Sequence, residues 1–402
     1  MRLSLIRAVD RYAGPLLCLI LTLWARIIRV VRLSPGKDRD SVRRVLFVKL
    51  SEIGAVLCAY PLFQKVKKEH PAAEMVFVTF ASNREIFGLL GGAITPYRIL
   101  TIRLNTPGHF IVDTFNVLRF FATHRFDLAF DLELFSRLSV ILTFLSGATR
   151  RAGFFRFNTE GVYRGDLLTH CVLYNPLLHI SRSFYSLYLS IKKPDGRTPQ
   201  LSEDIQAVEM VLPAYHPPAK ARDDMEKILQ RAGVSPGQKI LLLHIGDGLL
   251  PLREWPFDHY LRLAQKVIAE TDIFLVFVGT QSDDEQIQKI MDLAPDRCLN
   301  LNRRTDLTEL IALFHIGDLI FSTDCGLMHL AALTRIKKLV IFGPESPVVF
   351  KPLGDGVRVI CKGLPCSPCF SAFNHRASAC RNNLCIKQIN PREVFDLIIA
   401  SI

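Results

Sequence analysis

The sequence contains no uncharged apolar run as long as the ~20 residues that a membrane-spanning helix needs, which argues against a polytopic membrane protein. It also contains no low-complexity tract and no repeat of short period. No small-x-small cleavage site follows its first apolar segment, so a secretory signal peptide is not predicted. No Gly-x-Gly-x-x-Gly motif follows any predicted strand, which counts against a Rossmann oxidoreductase.

The length and composition fit a folded protein of two domains. The chain has 402 residues, and domains commonly span about 100–200 residues. Hydrophobic residues make up 49% and charged residues 22%, which allows full cores and argues against intrinsic disorder. The 50 Lys and Arg against 38 Asp and Glu leave a formal charge of +12. That excess suits nucleic acid, anionic lipid or a phosphorylated ligand, and composition alone does not choose among them.

The basic excess is concentrated at the N-terminus. Residues 1–44 hold ten basic and three acidic side chains, a local charge of +7, whereas the other 358 residues carry only +5. This uneven distribution removes nucleic acid from the expected partners. An anionic membrane surface and phosphorylated substrates remain.

The N-terminal segment combines apolar and basic residues. Residues 13–25 form an uncharged run, about 20 Å long as a helix and shorter than the ~30 Å hydrocarbon core of a bilayer. Beyond Trp24, the residues Arg26, Arg29 and Arg32 share one helical face, and aliphatic residues cover the other. This pattern favours an amphipathic helix that lies in a membrane surface with its arginines on anionic headgroups. A tilted span and a helix packed on the protein's own body remain alternatives.

Two series of alternating strands and helices predict an α/β protein with parallel sheets. The predicted apolar strands lie at 45–50, 75–80, 125–135, 240–246, 273–279, 318–324 and 338–344, with a Pro-rich stretch at 213–218 between the two series. We therefore expect two doubly wound halves, with ligands in a cleft at the strand C-termini. The predicted domains are a basic membrane-associating segment at 1–43, an N-terminal domain at 44–212, a C-terminal domain at 213–385 and a final helix at 386–402.

Five sequence blocks are informative together. They are KLSEIGAVLCAYPLF (49–63), FDLAFDLELFSRLSV with ATRRAGF (126–154), HIGDGLLPLREWP (244–256), FSTDCGLMHLAALTRIKKLVIFGPESP (321–347) and CSPCF (366–370). Through them the chain resembles glycosyltransferase family 9, the ADP-heptose:lipopolysaccharide heptosyltransferases. The resemblance implies the GT-B fold, in which two Rossmann-like doubly wound domains face a cleft.

The resemblance also implies an inverting glycosyltransferase. Such an enzyme moves a heptose-like sugar from a nucleotide-diphosphate donor, with ADP-heptose expected here, to a lipid-linked saccharide such as lipopolysaccharide core. The donor would bind to the C-terminal domain and the acceptor to the N-terminal domain, at the cytoplasmic face of the inner membrane as a peripheral, monotopic protein. A catalytically silent relative that binds nucleotide sugar or glycolipid is the alternative.

The block at 321–347 has the features of a diphosphate site. Asp324 ends a predicted strand, Cys325 and Gly326 form a loop, and His329 lies about one turn into the next helix. A helix N-terminus approached through a glycine offers backbone N–H groups to an anion, although an Asp N-cap with a core histidine explains the same residues. The guanidinium of Arg253 suits a diphosphate. The remaining donor-binding candidates are Gly246, Gly248, Asp283, Glu285 and Thr305.

The chain departs from the family at the position of the catalytic base. The family motif after the first strand ends in Gly-Asp, whereas this chain has Ala55 after Gly54. An inverting transfer needs a base that deprotonates the acceptor hydroxyl. The catalytic candidates are Glu52 in the same loop and Asp131 or Glu133 at a predicted strand end. The lack of a working base is the remaining possibility.

A phosphorylated acceptor would be expected to meet cationic groups. Arg137 matches a basic family position, and Arg151 belongs to a turn that resembles the family's Arg-x-Gly pattern. Ser51 and Gly54 of the first loop complete the predicted acceptor-binding residues. A solvated basic loop is the alternative explanation for the two arginines.

The cysteines fall into two groups. Five are scattered in apolar or helical contexts and are predicted to be reduced core residues of a cytosolic protein: Cys18, Cys58, Cys171, Cys298 and Cys325. The other five lie at 361–385, where Cys361 precedes four that are spaced as in tetrahedral zinc sites: Cys366, Cys369, Cys380 and Cys385. A structural zinc ion is therefore predicted beside the alternatives of reduced thiols, a disulfide or an iron–sulfur cluster. No Asp-x-Asp pair follows a predicted strand, so no cofactor is expected to be required for catalysis.

Overall fold

The computed structural model describes residues 3–31, 42–95, 97–155, 163–196, 201–246, 250–280 and 284–402. The chain divides into two units, Met1–Met210 and Val211–Ile402, which are described separately. The division lies two residues before the domain boundary expected from the sequence.

The first unit contains a six-stranded parallel sheet of order β3-β2-β1-β4-β5-β6. Its strands are β1 (Arg44–Val48), β2 (Glu74–Phe80), β3 (Tyr97–Ile102), β4 (Leu128–Asp131), β5 (Arg150–Phe155) and β6 (His170–Leu173). Its helices are α1 (Leu3–Val31), α2 (Ile53–Cys58), α3 (Tyr60–Glu69), α4 (Arg84–Ile94), α5 (Pro107–Thr123), α6 (Arg137–Leu145) and α7 (Ile180–Ser190).

The second unit contains a six-stranded parallel sheet of order β12-β11-β10-β7-β8-β9. Its strands are β7 (Ile240–Leu243), β8 (Phe274–Phe277), β9 (Cys298–Asn300), β10 (Leu319–Thr323), β11 (Lys337–Ile341) and β12 (Val357–Ile360). Its helices are α8 (Ala219–Arg231), α9 (Phe257–Glu270), α10 (Asp284–Met291), α11 (Leu307–Ile316), α12 (Gly326–Ala331), α13 (Pro347–Phe350), α14 (Leu384–Lys387) and α15 (Pro391–Ile399). Single 3-10 turns lie at Ala81–Asn83, Pro251–Arg253, Pro295–Arg297 and Ala372–Asn374.

Both sheets have the strand order of a Rossmann-like doubly wound fold. Counted within each unit, the order is 3-2-1-4-5-6, which reverses between β1 and β4 and between β7 and β10. Strand β1 shows why the sequence forms such a layer. Leu46 and Val48 pack on the side of α5 and α6, whereas Phe47 contacts Phe63 of α3 on the other side. A strand that is covered on both faces needs a continuous apolar run, as β1 has. The two parallel sheets with helices on their faces confirm the predicted α/β fold class.

Helix α1 packs against α6 through small side chains. Gly14, Cys18, Thr22 and Ala25 recur every three or four residues and are all buried. A Cβ atom at Gly14 would lie 2.4 Å from Cδ of Arg137, so a larger residue would displace that side chain. This face of α1 therefore packs on the protein's own body, the alternative that the sequence left open.

The opposite face of α1 is apolar and exposed. Large hydrophobic side chains on it are 45–76% exposed: Tyr12, Leu16, Leu17, Leu19, Ile20, Leu23, Trp24 and Ile27. Among the helices that the structure describes, none is both long and apolar enough to cross a membrane. The side chain of Arg29 and the whole of Arg32, which belong to the predicted basic face, lie outside the described residues.

Candidate functional site

Ligands of open α/β sheets bind beyond the carboxyl ends of the strands, where the strand order reverses. In the first unit this point lies between β1 and β4, which are followed by Glu52 and Glu133. In the second unit it lies between β7 and β10, which are followed by Gly246 and residues 324–326. Candidates of the two halves are thus gathered at two switch points, one in each unit.

Glu133 holds the loop that follows β1. Its Oε1 atom accepts hydrogen bonds from the backbone N–H groups of Leu50 (2.8 Å) and Ser51 (3.1 Å). The same atom pairs with Nζ of the buried Lys49 at 3.0 Å. A carboxylate oxygen that already meets three donors has little capacity left for an acceptor hydroxyl. Glu133 therefore positions this loop through Oε1, and its predicted role as a base stays a prediction.

Glu52 lies on the same loop, immediately before α2, and is exposed. Its φ of 71° is in the left-handed region, which is uncommon for a residue with a side chain and persists where the surrounding structure holds it. Its carbonyl oxygen accepts the N–H of Ala55 at 3.0 Å, and Glu133 holds the residues before it. Gly54, predicted for the acceptor together with the half-buried Ser51, is buried in α2.

Asp131 is the last residue of β4 and is 0% exposed. Arg164 donates a hydrogen bond to its Oδ2 atom, and the backbone N–H of Glu133 donates to Oδ1 at 3.1 Å. Burial raises the pKa of Asp131, and the charge of Arg164 opposes this effect. In this structure Asp131 is a buried partner of Arg164, and this burial counts against its predicted role as a base, which stays a prediction.

The two arginines predicted on the acceptor side are held inside the fold. Arg137 donates from Nε to the carbonyl of Tyr163 at 2.8 Å and from Nη1 to the carbonyl of Asp10 at 3.1 Å. Burial lowers the pKa of Arg137. Arg151 donates from Nε to the carbonyl of Leu167 at 2.7 Å. Both guanidinium groups thus bind the chain's own atoms, and their predicted contacts with an acceptor phosphate stay predictions.

The predicted diphosphate loop follows β10 in the second unit. Thr323 donates from Oγ1 to the carbonyl of Gly246 at 3.5 Å, which ties this loop to the end of β7. Asp324 and His329 are buried. A Cβ atom at Gly326 would meet no heavy atom within 4 Å, so the backbone of this turn is open to an approaching ligand.

Cys325 lies beside a buried histidine in the same loop. Nδ1 of His244 is 2.8 Å from Oγ of Ser322 and 3.8 Å from Sγ of Cys325, and the two latter atoms are 3.4 Å apart. Burial raises the pKa of Cys325, but the charge of His244 and the hydrogen bonds from His244 and Ser322 outweigh it and leave the pKa lowered. Cys325 is half-buried, which corrects its prediction as a core residue.

Arg253 lies against two carboxylates. It donates from Nη1 to the carbonyl of Asp324 at 3.1 Å and from Nη2 to Oε1 of Glu345 at 2.6 Å. Nη1 also lies 3.5 Å from Oδ2 of Asp324. Nε of Arg376 reaches the same Oε1 atom of Glu345 at 3.0 Å. Burial raises the pKa of Glu345, against the charges of Arg376 and Arg253. The structure thus places Arg253 directly beside the predicted diphosphate loop.

The other donor candidates follow the neighbouring strands. Glu285 is exposed in the first turn of α10, after β8. Thr305 is half-buried after β9, next to Asp306, which caps α11 by accepting the N–H of Glu309. Both residues lie at the same sheet edge as Asp324, because the strands are parallel. Gly248 and Asp283 lie outside the described residues.

A family model described as glycosyltransferase family 9 (heptosyltransferase) matches residues 125–378, which include the whole Arg253 and Asp324 region. The chain belongs to glycosyltransferase family 9. This membership confirms the resemblance and the predicted enzyme class.

Known proteins agree with this assignment. Lipooligosaccharide heptosyltransferase 2 of Haemophilus ducreyi is 23% identical over 330 residues, which cover 79% of this chain and 88% of that protein. The alignments to the first two curated relatives span only 42% and 50% of those proteins. The structure of Escherichia coli ADP-heptose lipopolysaccharide heptosyltransferase II has a TM-score of 0.65 and 18% identity over 89% of this chain and 98% of that one. E. coli heptosyltransferase WaaC with ADP has a TM-score of 0.60 and 14% identity, over 89% and 100%.

Sequence reasoning missed several charged residues of this family 9 member's candidate site. They are Lys49, Arg164, His244, Glu345 and Arg376. A signal existed for Lys49 and His244, because each is a basic residue directly after a buried apolar strand. Glu345 likewise follows the apolar run of β11 within the FGPE sequence. Arg164 and Arg376 lie outside every quoted block, and only their contacts show them.

The clustered cysteines are not arranged as metal ligands. All ten cysteines lie in the described residues, and none forms a disulfide. Cys366 and Cys380 are exposed, Cys369 is half-buried and Cys385 is buried. No three His, Cys, Asp or Glu side chains of the described ranges are grouped so as to hold a metal ion. The structure therefore contains no preformed zinc site here, and zinc binding stays a prediction.

Proposed function

We propose that this chain is an inverting glycosyltransferase that transfers a heptose-like sugar from ADP-heptose to a lipid-linked saccharide such as lipopolysaccharide core. The observation that carries the proposal is the position of Arg253 beside the open turn at residues 324–326, at the switch point of the second sheet. The solved structure of E. coli heptosyltransferase WaaC, which is similar in fold, contains ADP. This supports an adenine nucleotide as the carrier of the donor sugar.

Arg253 has the chemistry to stabilise the leaving group. As the bond between the sugar and the diphosphate breaks, negative charge develops on the departing oxygen. A planar guanidinium can donate two parallel hydrogen bonds to such an anion. His329 adds a further polar group in α12, the helix that follows the loop. A metal-independent reaction is part of the proposal, because these groups take up the charge.

Glu52 is the proposed base. Its carboxylate takes the proton of the acceptor hydroxyl while the hydroxyl oxygen forms a bond to the anomeric carbon. The bond from that carbon to the diphosphate breaks on the opposite face, so the configuration inverts. Glu52 is exposed on a loop that Glu133 braces, whereas Asp131 is fully buried.

The test is transfer of labelled heptose from ADP-heptose to a lipid extract. We expect Glu52→Gln to lower kcat by about 10²–10⁴-fold, the contribution typical of a general base, with ADP affinity unchanged. Glu85→Gln is the matched control, because Glu85 is an exposed glutamate in the same unit. Full activity of the Glu52 variant would contradict its role as base.

The silent relative is the second candidate, and Ala55 at the family's base position favours it. It predicts that the wild-type chain binds nucleotide sugar but transfers no label from ADP-heptose or any other donor. Labelled product in the wild-type reaction would exclude it.

We also propose that the protein associates with an anionic membrane surface at the cytoplasmic face of the inner membrane. Leu16, Ile20, Leu23 and Ile27 recur at helical spacing on the exposed face of α1, and residues 1–44 carry a net +7. Helix α5, which also contacts α6, adds a second exposed apolar patch at Ile111, Val112 and Phe115. Apolar side chains beside basic ones suit insertion at the level of lipid headgroups.

A further inference from the structure

The segment that carries the clustered cysteines, residues 361–385, packs on the turn that presents Arg253. Asn383 is buried and donates from Nδ2 to the carbonyl oxygens of Leu252 at 3.1 Å and Glu254 at 2.9 Å. These two carbonyls flank Arg253 on either side. Asn383 therefore fixes the backbone from which the guanidinium extends.

The same segment also holds the loop after β11. The N–H of Phe370 donates to the carbonyl of Pro344 at 2.7 Å, and Oγ of Ser367 donates to the carbonyl of Gly343. Glu345 follows directly and is 1% exposed. The segment thus contacts both chain stretches that meet in the pair of Arg253 and Glu345.

Arg376 balances the charge at this point. Arg253 lies against Asp324 and Glu345, so without a further cation these three side chains carry a net −1 and would repel a diphosphate. Nε of Arg376 shares Oε1 of Glu345 with Arg253 and brings the sum to zero. Oε2 of Glu345 and Nε of Arg253 are both buried without a hydrogen-bond partner among the described residues. Arg253 therefore keeps hydrogen-bonding capacity that the described residues do not use.

We infer that residues 361–385 complete the donor-diphosphate site. In this arrangement Asn383 positions Arg253, and Arg376 offsets the charge of Glu345 so that the site accepts a diphosphate. The inference rests on the proposed function, because it takes the loop at 324–326 as the donor site. It gives the cysteine-containing segment a role in donor binding that does not depend on the state of its thiols.

The test is calorimetric titration of the full-length protein with ADP. We expect Arg376→Ala and Asn383→Ala each to weaken ADP binding by about tenfold. This is the effect of losing one hydrogen bond to a charged group, or of losing the contact that positions that group. Arg381→Ala and Asn382→Ala are matched controls, because both residues are exposed on the same segment. The Arg376→Ala loss should shrink at high salt, and Arg376→Lys should restore most of the affinity.

A double-mutant cycle separates positioning from general destabilisation. If Asn383 acts through Arg253, then Arg253→Ala and the Arg253→Ala/Asn383→Ala pair should bind ADP equally weakly. Additive losses, or wild-type affinity in both single variants, would overturn the inference while leaving the proposed function in place. If the wild-type protein binds no ADP at all, the proposed function fails and this inference fails with it.

Discussion

Three carboxylates near the first switch point show how environment assigns roles to chemically similar side chains. Asp131 is fully buried beside Arg164. One carboxylate oxygen of Glu133 accepts hydrogen bonds from three donors of the loop after β1, and Glu52 is exposed on that loop. A carboxylate must come within hydrogen-bond distance of a hydroxyl group to take its proton, and of these three Glu52 is the exposed one. Arg253 and Arg137 both donate to atoms of their own chain, but Arg253 does so beside the open turn at Gly326.

At Cys325 the lowered pKa predicts a reactive thiol. Because the pKa in the folded protein lies below the ordinary value, the thiolate fraction rises at lower pH than in a free cysteine. We expect the alkylation of Cys325 by iodoacetamide to show a pH midpoint below that of an unfolded peptide, measured by mass spectrometry of the digested protein. ADP should slow this alkylation, since Cys325 precedes the open turn at Gly326.

Cys325→Ser provides the matched variant for this experiment, because serine is close in size to cysteine and has no thiol. The variant should keep its ADP affinity, and the alkylated peptide that contains position 325 should be missing from its digest. Cys361, which is exposed outside the loop, serves as the internal reference. Alkylation of Cys325 no faster than of the unfolded peptide at neutral pH would contradict the prediction.

At the scale of elements, α1 is tied to α6 by charge as well as by packing. Oδ1 of Asp10 accepts the backbone N–H groups of Arg137 at 2.9 Å and Leu138 at 2.8 Å. These are among the N–H groups that a helix start leaves without an intrahelical partner. A carboxylate at a helix N-terminus is also favoured by the helix dipole. The N-terminal helix therefore caps a helix of the sheet layer.

Asp10→Ala should loosen the start of α6. Loss of a helix cap costs about 1–2 kcal/mol, so amide hydrogen exchange at Arg137–Leu145 should become roughly 5- to 30-fold faster. Arg11→Ala is the control, because Arg11 is exposed and adjacent in sequence. Unchanged exchange in the Asp10 variant would show that α6 does not depend on α1.

At the scale of the whole molecule, the excess of basic residues and the exposed apolar face belong to the same N-terminal segment. The sequence alone favoured a basic, membrane-associating segment at 1–43 that is attached to a body of nearly neutral charge. In the structure, small residues fasten one face of that segment to the first unit, and large apolar residues remain on the other. A helix held in this way would present its apolar face at a set orientation to the body.

Vesicle binding tests the proposed membrane surface. In flotation with vesicles of phosphatidylethanolamine and phosphatidylglycerol, we expect the Leu16→Glu/Ile20→Glu/Leu23→Glu variant to bind at least about tenfold more weakly than wild type, because burial of each such side chain is worth about 1.5–3 kcal/mol. The control, Ile228→Glu/Leu293→Glu, replaces exposed apolar residues of the second unit.

Lipid charge gives a second readout of the same surface. Wild-type binding should fall when phosphatidylcholine replaces phosphatidylglycerol, since the basic residues lose their anionic partners. Equal flotation of wild type and the α1 variant would contradict the proposal, as would loss of binding in the control variant alone.

The amino-acid sequence by itself determined the fold class and the places where candidate residues cluster. Continuous apolar runs such as 45–48 and 240–243 specify buried parallel strands, and the residues after them are then carried to the carboxyl edge of a sheet. Both properties are local, because they depend on neighbouring residues along the chain. The motifs therefore placed Glu52 and Asp324 at the two switch points before any contact was known.

Only the tertiary structure decided which of those residues are available for chemistry. Asp131 meets Arg164 across 33 positions of sequence, and Asp10 reaches the backbone of Arg137 across 127. Asn383 binds the turn of Arg253 although it lies about 130 residues further along the sequence. Burial and hydrogen-bond partners come from chain segments that are distant in sequence, and no local pattern encodes them. For that reason the sequence could name the candidate groups, whereas the fold assigned each of them to structure, to positioning or to the open site.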